Sequence, residues 1–271
     1  MTSSDGRVVA ESVTTSMVGS VALDDTELRS RPVVMDATVA VFRSPLRSTY
    51  HTLIDDLPRA GLLMHPALTR LGPVTLLHDG PLSRLETGLL AHLGTRRVSL
   101  MEVEPGRPIR AERVVLPGFV TRSGAGAVPS WYRRWSDGVP LPSVPDAPRR
   151  ILLDSPGVDA AHSNGPAILE VLAGHGIERI DVTSVDPLEL LGMLRGAELV
   201  VGRSGQELSN CLFSRSAHVV ELLDDVTLDP SIYYLAASKG LPYDYVPARP
   251  GAAVGPELDV DWLDRLLDRI G

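Results

Sequence analysis

The sequence predicts an α/β fold with parallel sheets, organised as two Rossmann-like domains. Three observations predict it. From residue 150 onward, β-branched strand signals alternate with helical segments, as in βαβ units joined by right-handed crossovers. A run containing Pro140, Pro142, Pro145 and Pro148 precedes that alternation and reads as a linker. Before the linker the same signals recur less regularly, as in a smaller α/β domain. The expected organisation is a lead-in over 1–30, an N-terminal α/β domain over 31–138, a linker over 139–149 and a C-terminal Rossmann-like domain over 150–271.

In the N-terminal part, VVMDATVAVF (33–42) is β-branched and reads as strand. The stretch 48–71 carries Leu53, Leu57, Leu62 and Leu63 in a helical rhythm that Pro58 and Pro66 interrupt. VTLLH (74–78) is a short buried strand. The segment 81–94 opens on Pro and closes on Gly, as a helix does. RVSLM and ERVVLPGF read as further strands, and Trp131 and Trp135 share one helical face suited to packing.

The C-terminal part runs RRILLD (strand), NGPAILEVLAGHG (helix), IERIDVT (strand) and DPLELLGMLRGA (helix, with Asp186 as N-cap and Pro187 in the first turn). ELVVG, GQELSNCLF and AHVVELL follow as strand, helix and strand. DPSIYYLAASKG is helix, PYDYV strand, and ELDVDWLDRLLDRIG a closing amphipathic helix.

Composition narrows the function. The 271 residues are 44% hydrophobic and 22% charged, with a net charge of -8. The basic residues are scattered, which excludes a concentrated nucleic-acid groove. Cys211 is the one cysteine, so neither a disulfide framework nor a cysteine-based zinc site is expected. The opening residues show no basic-then-apolar leader, and no run approaches the roughly 18 apolar residues of a membrane helix. A cytoplasmic location without a membrane span is expected, and Arg in excess over Lys suggests a bacterial, GC-rich source.

The stretch ELVVGRSGQELSNCLFSRSAHVVELL (198–223) places polar residues between two greasy strands. In open α/β sheets ligands sit beyond the carboxyl ends of strands, against a helix N-terminus. Gly202 and Gly205 let backbone amides approach an anion, and Arg203 is the fixed cation of the turn. Gln206, Ser209 and Asn210 suit a sugar or base, and Glu221 suits a ribose hydroxyl pair. The plainer alternative makes Ser204 a helix cap, Asn210 a backbone partner and Glu221 a surface ion-pair member.

The same stretch resembles the signature of the glycosyltransferase family 61 group, also designated DUF563. That signature reads approximately V-V-G-x-H-G-A-G-L-S/T-N-x-L-F, followed by a V-x-E-L strand. Val200, Val201, Gly202, Gly205, Leu208, Ser209, Asn210, Leu212, Phe213, Val220, Glu221 and Leu222 match it. The tyrosine-bearing YYLAASKGLPYDY follows, as the family has it. A second family motif, Y/F-H-W-L-x-D/E-x-L-P-R, is matched by Tyr50, His51, Leu53, Asp55, Leu57, Pro58 and Arg59, with Thr52 in place of the aromatic.

The resemblance implies a GT-B-like pair of facing domains and an inverting, metal-independent glycosyltransferase. A nucleotide sugar would be the co-substrate and a polysaccharide or small molecule the acceptor. No cofactor and no metal are implied, and a homodimer is among the open oligomeric states. Donor binding falls to Gly202, Arg203, Ser204, Gly205, Gln206, Ser209, Asn210 and Glu221. An inverting transfer needs a base at the acceptor hydroxyl and positive charge or amide dipoles at the leaving phosphate. His51 is the expected base, with Asp55 four residues on orienting it, and Tyr50 and Arg59 complete the cleft. The alternatives are a core or capping His51, a purely helix-supporting Asp55–Arg59 pair, and a solvent-facing Asp56.

The chain departs from the pattern at three places. Ser204 stands at the family histidine, Gln206-Glu207 at its Ala-Gly, and no arginine follows the RRILLD strand, where the family carries two. Either Arg203 and helix amides hold the phosphates, or the chain is a catalytically degenerate relative that binds a ligand or partner. Asp224-Asp225 is the sole acidic pair placed after a strand as a metal-dependent transferase would need, and it reads as a turn. His162, His175 and His218 lack metal-ligand spacing.

Overall fold

A computed structural model describes residues 31–43, 47–94, 98–104, 107–118, 120, 126–154, 158–223, 229–249 and 255–271. The expected lead-in and the Asp224-Asp225 pair lie outside the described residues. The fold is mixed α/β with parallel sheets in both of its compact units. Unit 1 takes Met1–Arg47 and Asp55–Ser123; unit 2 takes Ser48–Ile54 and Gly124–Gly271.

Unit 1 is a four-stranded parallel sheet. Its strands are β1 (Val33–Val41), β2 (Val74–Asp79), β3 (Val98–Val103) and β4 (Ile109–Val115), in the order β3-β2-β1-β4. The apolar runs of the two central strands are buried at Val39, Ala40, Val74, Leu76 and Leu77, whereas edge strands β3 and β4 are mostly exposed, with Leu100, Met101 and Val114 among the exposed side chains. Pro58 does not end the helical stretch. It sits at the start of α1 (Leu57–Leu62), which continues directly from a π-helical turn over His51–Asp56. A 3₁₀ turn over Pro66–Leu71 follows.

The next helix, α2 (Arg84–Leu90), begins three residues after Pro81 because Ser83 and Glu86 form a reciprocal capping box. Glu86 has a second task. Arg43 Nε and Nη2 donate to its two carboxylate oxygens, each at 2.7 Å, and both side chains are nearly buried, at 7% and 5% exposure. Arg43 also donates to the carbonyls of Asp79 (2.6 Å) and Pro81 (2.7 Å), with a longer contact to Gly80 (3.5 Å). Burial alone would raise the Glu86 pKa. The hydrogen bonds from Arg43 and Ser83, with the Arg43 charge, outweigh it and hold the carboxyl below its ordinary value.

Unit 2 is a doubly wound sheet. Its strands are β5 (Arg150–Asp154), β6 (Glu178–Asp181), β7 (Leu199–Arg203), β8 (His218–Leu222) and β9 (Tyr243–Val246). They run in parallel in the order β6-β5-β7-β8-β9. Helices α3 (Ser130–Gly138), α4 (Val158–Ala161), α5 (Gly165–Gly174), α6 (Pro187–Gly196), α7 (Ser231–Lys239) and α8 (Val260–Ile270) accompany it, with a small antiparallel pair, β10 (Ala248–Arg249) and β11 (Glu257–Leu258). Asp186 caps α6 through Leu188 N and Glu189 N, as the sequence signals anticipated, and Gly240 closes α7 in the left-handed conformation.

Strand alternation splits the core into two layers. Leu152, Val201, Val220 and Leu222 pack with Ile168 and Leu172 of α5 and Leu263, Leu266 and Leu267 of α8. Ile151, Leu153, Val200 and Val219 pack with Leu190 and Leu194 of α6 and with Leu208 and Cys211. Each fully buried Leu or Val contributes about 1.5–3 kcal/mol. Full burial pushes the Cys211 thiol up to about 12. We expect a thiol reagent at pH 8 to leave the native protein unlabelled and to modify one thiol per chain in denaturant; rapid native labelling would contradict the burial.

Helix α3 is fastened to the C-terminal sheet's helices. Arg195 on α6 donates to the carbonyls of Ser136 (2.8 Å) and Val139 (2.5 Å), satisfying the end of α3. Lys239 Nζ, on a side chain only 2% exposed, meets Asp137 at 2.5 Å. Burial lowers the lysine pKa, and the Asp137 contact opposes that shift. Arg133 donates to Ser238 O at 3.1 Å. Two glycines permit the wrap: a Cβ on Gly126 would lie 1.9 Å from Ser231 O, and one on Gly192 would lie 2.3 Å from Pro142 O. Tyr132 is fully buried, and its hydroxyl donates to Leu53 O at 2.6 Å, which ties Ser48–Ile54 into unit 2.

Candidate functional site

In unit 2 the first strand, β5, has its successor β6 on one side and β7 on the other, the 2-1-3-4-5 order of flavodoxin-like sheets. Chain direction away from β5 reverses there, so a crevice opens at the carboxyl ends of β5 and β7. Register puts three charged residues on one face at that rim. Leu152 aligns with Arg179 and Val201, so Asp154 and Arg203, each two residues further on, project to the same side. Asp154 is 3% exposed. It accepts Val158 N at 3.0 Å and pairs with Arg179 Nε. The Arg179 side chain remains 46% exposed.

The other face of the rim carries Glu221. It aligns with Gly202 and is only 1% exposed. Its oxygens accept Ser204 Oγ–H and Tyr243 O–H, each at 2.6 Å. Burial, then the Glu221 hydrogen bond and charge, raise the Tyr243 pKa, so the phenol remains a donor. Ser204 N also donates to Leu222 O at 2.7 Å. Glu221 is therefore buried and not a surface residue, and Ser204 fastens the turn to β8 where the sequence allowed a helix cap.

The turn after β7 uses its glycines differently. A Cβ on Gly202 would lie 2.8 Å from Leu208 Cδ2, so this glycine admits the following helical segment against the strand. Gly205 has φ +152°, a conformation open to glycine alone in practice. The segment after it is a 3₁₀ helix over Glu207–Phe213, a poorer hydrogen-bonded turn than the expected α-helix. Gln206 is exposed. Ser209 Oγ donates to Gln206 O, and Asn210 Nδ2 donates to Glu207 O at 2.8 Å, so both side chains serve the local backbone.

The N-terminal motif lies on the π-helical turn and α1. His51 is half-buried, with its ring edge-on to Tyr50 at 5.4 Å, and its backbone N–H donates to Ser48 Oγ at 3.3 Å. Asp55 is 8% exposed. Asp56 is 2% exposed, which overturns the solvent-facing expectation. Its charge is felt by two guanidinium groups, those of Arg59 and Arg43, and Arg59 Nε donates to Pro117 O at 3.1 Å. Burial lowers the Arg59 pKa against the pull of the two carboxylates.

Among the described residues no group of His, Cys, Asp and Glu is arranged to hold a metal ion. His162 is buried, and His175 and His218 pair with Asp264 and Asp244, each at 2.8 Å. No helix is long and apolar enough to cross a membrane among the described residues. Sequence reasoning passed over Asp154 and Arg179, and met Tyr243 only within the family-like YYLAASKGLPYDY stretch. Asp154 was findable as the last residue of the first strand of a doubly wound half. Arg179 carries no local signal, because sheet register brings it to the rim.

No family model matches the chain, and no curated protein matches it. Solved structures that resemble it include two of TibC. One is the iron-containing dodecameric glycosyltransferase TibC from enterotoxigenic E. coli, at 13% identity and TM-score 0.41 over 71% of this chain and 59% of that one. The other is the heptosyltransferase TibC in complex with ADP-D-beta-D-heptose, at 12% identity and TM-score 0.43 over 83% of this chain and 66% of that one. The chain thus spans less than two thirds of the length of either.

Proposed function

We propose that the chain is an inverting, metal-independent glycosyltransferase that takes its sugar from a nucleotide-sugar donor. The observation that carries the reading is the coincidence of the family-like turn with the switch-point rim of unit 2. The turn bearing Arg203 follows β7, and Arg203 shares a face with Arg179 and Asp154. A guanidinium at that rim suits a diphosphate, in bidentate geometry and with charge-assisted strength. Arg179, reaching the rim from the neighbouring strand, supplies the second cation that the sequence lacks after β5. Gly205 and Gln206 line the solvent side of the same turn. In this reading His51 takes the acceptor hydroxyl proton as the diphosphate leaves, and Asp55 orients the segment.

The second reading, a degenerate relative that binds without turnover, is favoured by the commitment of Glu221 to Ser204 and Tyr243, which leaves little of that carboxylate for a ribose. Titration calorimetry with uridine, guanosine, adenosine and thymidine diphosphate sugars separates the readings. We expect one donor to bind the native chain and to lose about 10–100-fold in affinity in Arg203→Ala, the worth of a charge-assisted hydrogen bond. Transfer to an acceptor panel should persist in chelator, invert the anomeric configuration and vanish in His51→Ala with donor affinity retained. Binding without transfer supports the second reading; absence of any nucleotide response overturns the first and leaves the second with a ligand or partner that is not a nucleotide.

A further inference from the structure

The sheet of unit 1 ends at β4, and the backbone of that strand shows which of its groups face outward. Val33 aligns with Ile109, and Val33 N donates to Pro108 O at 2.9 Å. Along a parallel strand successive residues turn their N–H and C=O to alternate sides. Pro108 and Arg110 therefore address β1, and Ala111 turns its N–H and C=O away from it. Among the described residues no strand pairs with that outer side. Such an edge is a template for a further strand.

The side chains define which strand fits. Arg110 and Glu112 flank Ala111 and lie on one face of the sheet. Both are exposed, and among the described residues neither has a hydrogen bond or an ion pair. Val34, next to Arg110 on that face, is 73% exposed, so the face is open there. Lay a second β4 antiparallel to the first, with Ala111 opposite Ala111 of the partner subunit. The two alanines exchange both backbone hydrogen bonds, and Arg110 of each chain stands opposite Glu112 of the partner subunit. Those flanking pairs are the non-hydrogen-bonded kind, in which facing side chains come closest. Moving the centre to Arg110, Glu112 or Arg113 sets that charge against its own copy, which is destabilising.

We infer that the β4 edge is a docking surface for a second copy of this chain, joined antiparallel about Ala111 with Arg110 and Glu112 paired reciprocally. Charged side chains on an edge turn away strands of the wrong pattern. The alternation here is its own complement when reversed, so it admits the chain itself. The opposite edge, β3, offers no such match: its one charged residue is Glu102, and no register of two β3 strands meets it with a cation. A two-fold contact uses the same patch on both chains and closes at the dimer. A seven-residue strand buries little area, so the association belongs to the transient class.

The test needs no sugar donor and is independent of the transferase reading. Sedimentation velocity of the full chain over a concentration series is expected to show a monomer–dimer equilibrium. Arg110→Glu and Glu112→Arg each set like charges opposite one another at both pairs, and each should weaken association at least about tenfold. An equimolar mixture of the two variants restores both opposite-charge pairs and should associate as the native chain does. Arg110→Glu with Glu112→Arg in one chain keeps the edge self-complementary and should leave the dimer intact. A native chain that stays monomeric at every concentration overturns the docking surface. So does a dimer that both single variants leave unchanged, since the contact then lies elsewhere, and so does a mixture that associates no better than its components. Loss of the dimer in the exchanged double variant, with its circular dichroism unchanged, overturns the pairing even where a single variant fails to fold.

Discussion

Arg43→Ala is expected to lower stability by about 3–5 kcal/mol, because it strands a buried carboxylate. Glu86 is only 4% exposed, and the cap it forms with Ser83 supplies one of its partners while Arg43 supplies two. The lost arginine also leaves the carbonyls of Asp79 and Pro81 without their donor. Urea denaturation measures the loss. The double variant Arg43→Met, Glu86→Leu should recover most of it, since removing both charges removes the desolvation problem. A double variant no more stable than Arg43→Ala would show that the pair is not the cause. The acid side gives a second check. The folded Glu86 carboxyl is held below its ordinary value. Its contribution is therefore complete above the unfolded pKa of about 4.3 and is lost as pH falls through the depressed folded value. Glu86→Gln should flatten that acid limb.

Gly126→Ala is expected to cost about 2–4 kcal/mol in unit 2. Two effects add. The residue has φ +64°, which an L side chain adopts at a cost of about 1–2 kcal/mol. The new methyl would also stand 1.9 Å from the Ser231 carbonyl oxygen, a backbone atom that cannot swing aside. Gly138→Ala is the control: at the end of α3 a Cβ meets nothing within 4 Å, and the residue has no positive φ. Relief of unfolded-state entropy should leave that variant unchanged or slightly more stable. Thermal melts in which the two substitutions are equally damaging would refute the close approach at Gly126.

The regular half of the fold was the legible half. Strand signals after residue 150 mark every strand of the five-stranded sheet, and side-chain caps at Asp186 and Asp259 open two of its helices. Asp186 before Pro187 and Gly240 after Lys239 are local chemistry, and local chemistry can be read without coordinates. Strand order could not be read, since register depends on contacts between distant segments. The site shows the same split. Gly202 and Gly205 were legible as a tight turn, but the close approach of Leu208 to Gly202 was not. Glu221 was legible as a rim residue, yet its burial and its two partners come from Ser204 and Tyr243 across the sheet. Asp56 looked like a solvated helix charge, yet it is 2% exposed and acts on the charges of Arg59 and Arg43.

The tie between Tyr132 and Leu53 makes neither unit a continuous piece of chain. The polypeptide passes from one unit to the other at Arg47/Ser48, at Ile54/Asp55 and at Ser123/Gly124. A single nick at the last of these crossings severs no unit cleanly. The C-terminal fragment departs without the short strap that covers the Tyr132 phenol, and its buried aromatic seat is left exposed. Dissection into independently expressed halves should therefore fail unless Ser48–Ile54 is grafted back in front of Gly124.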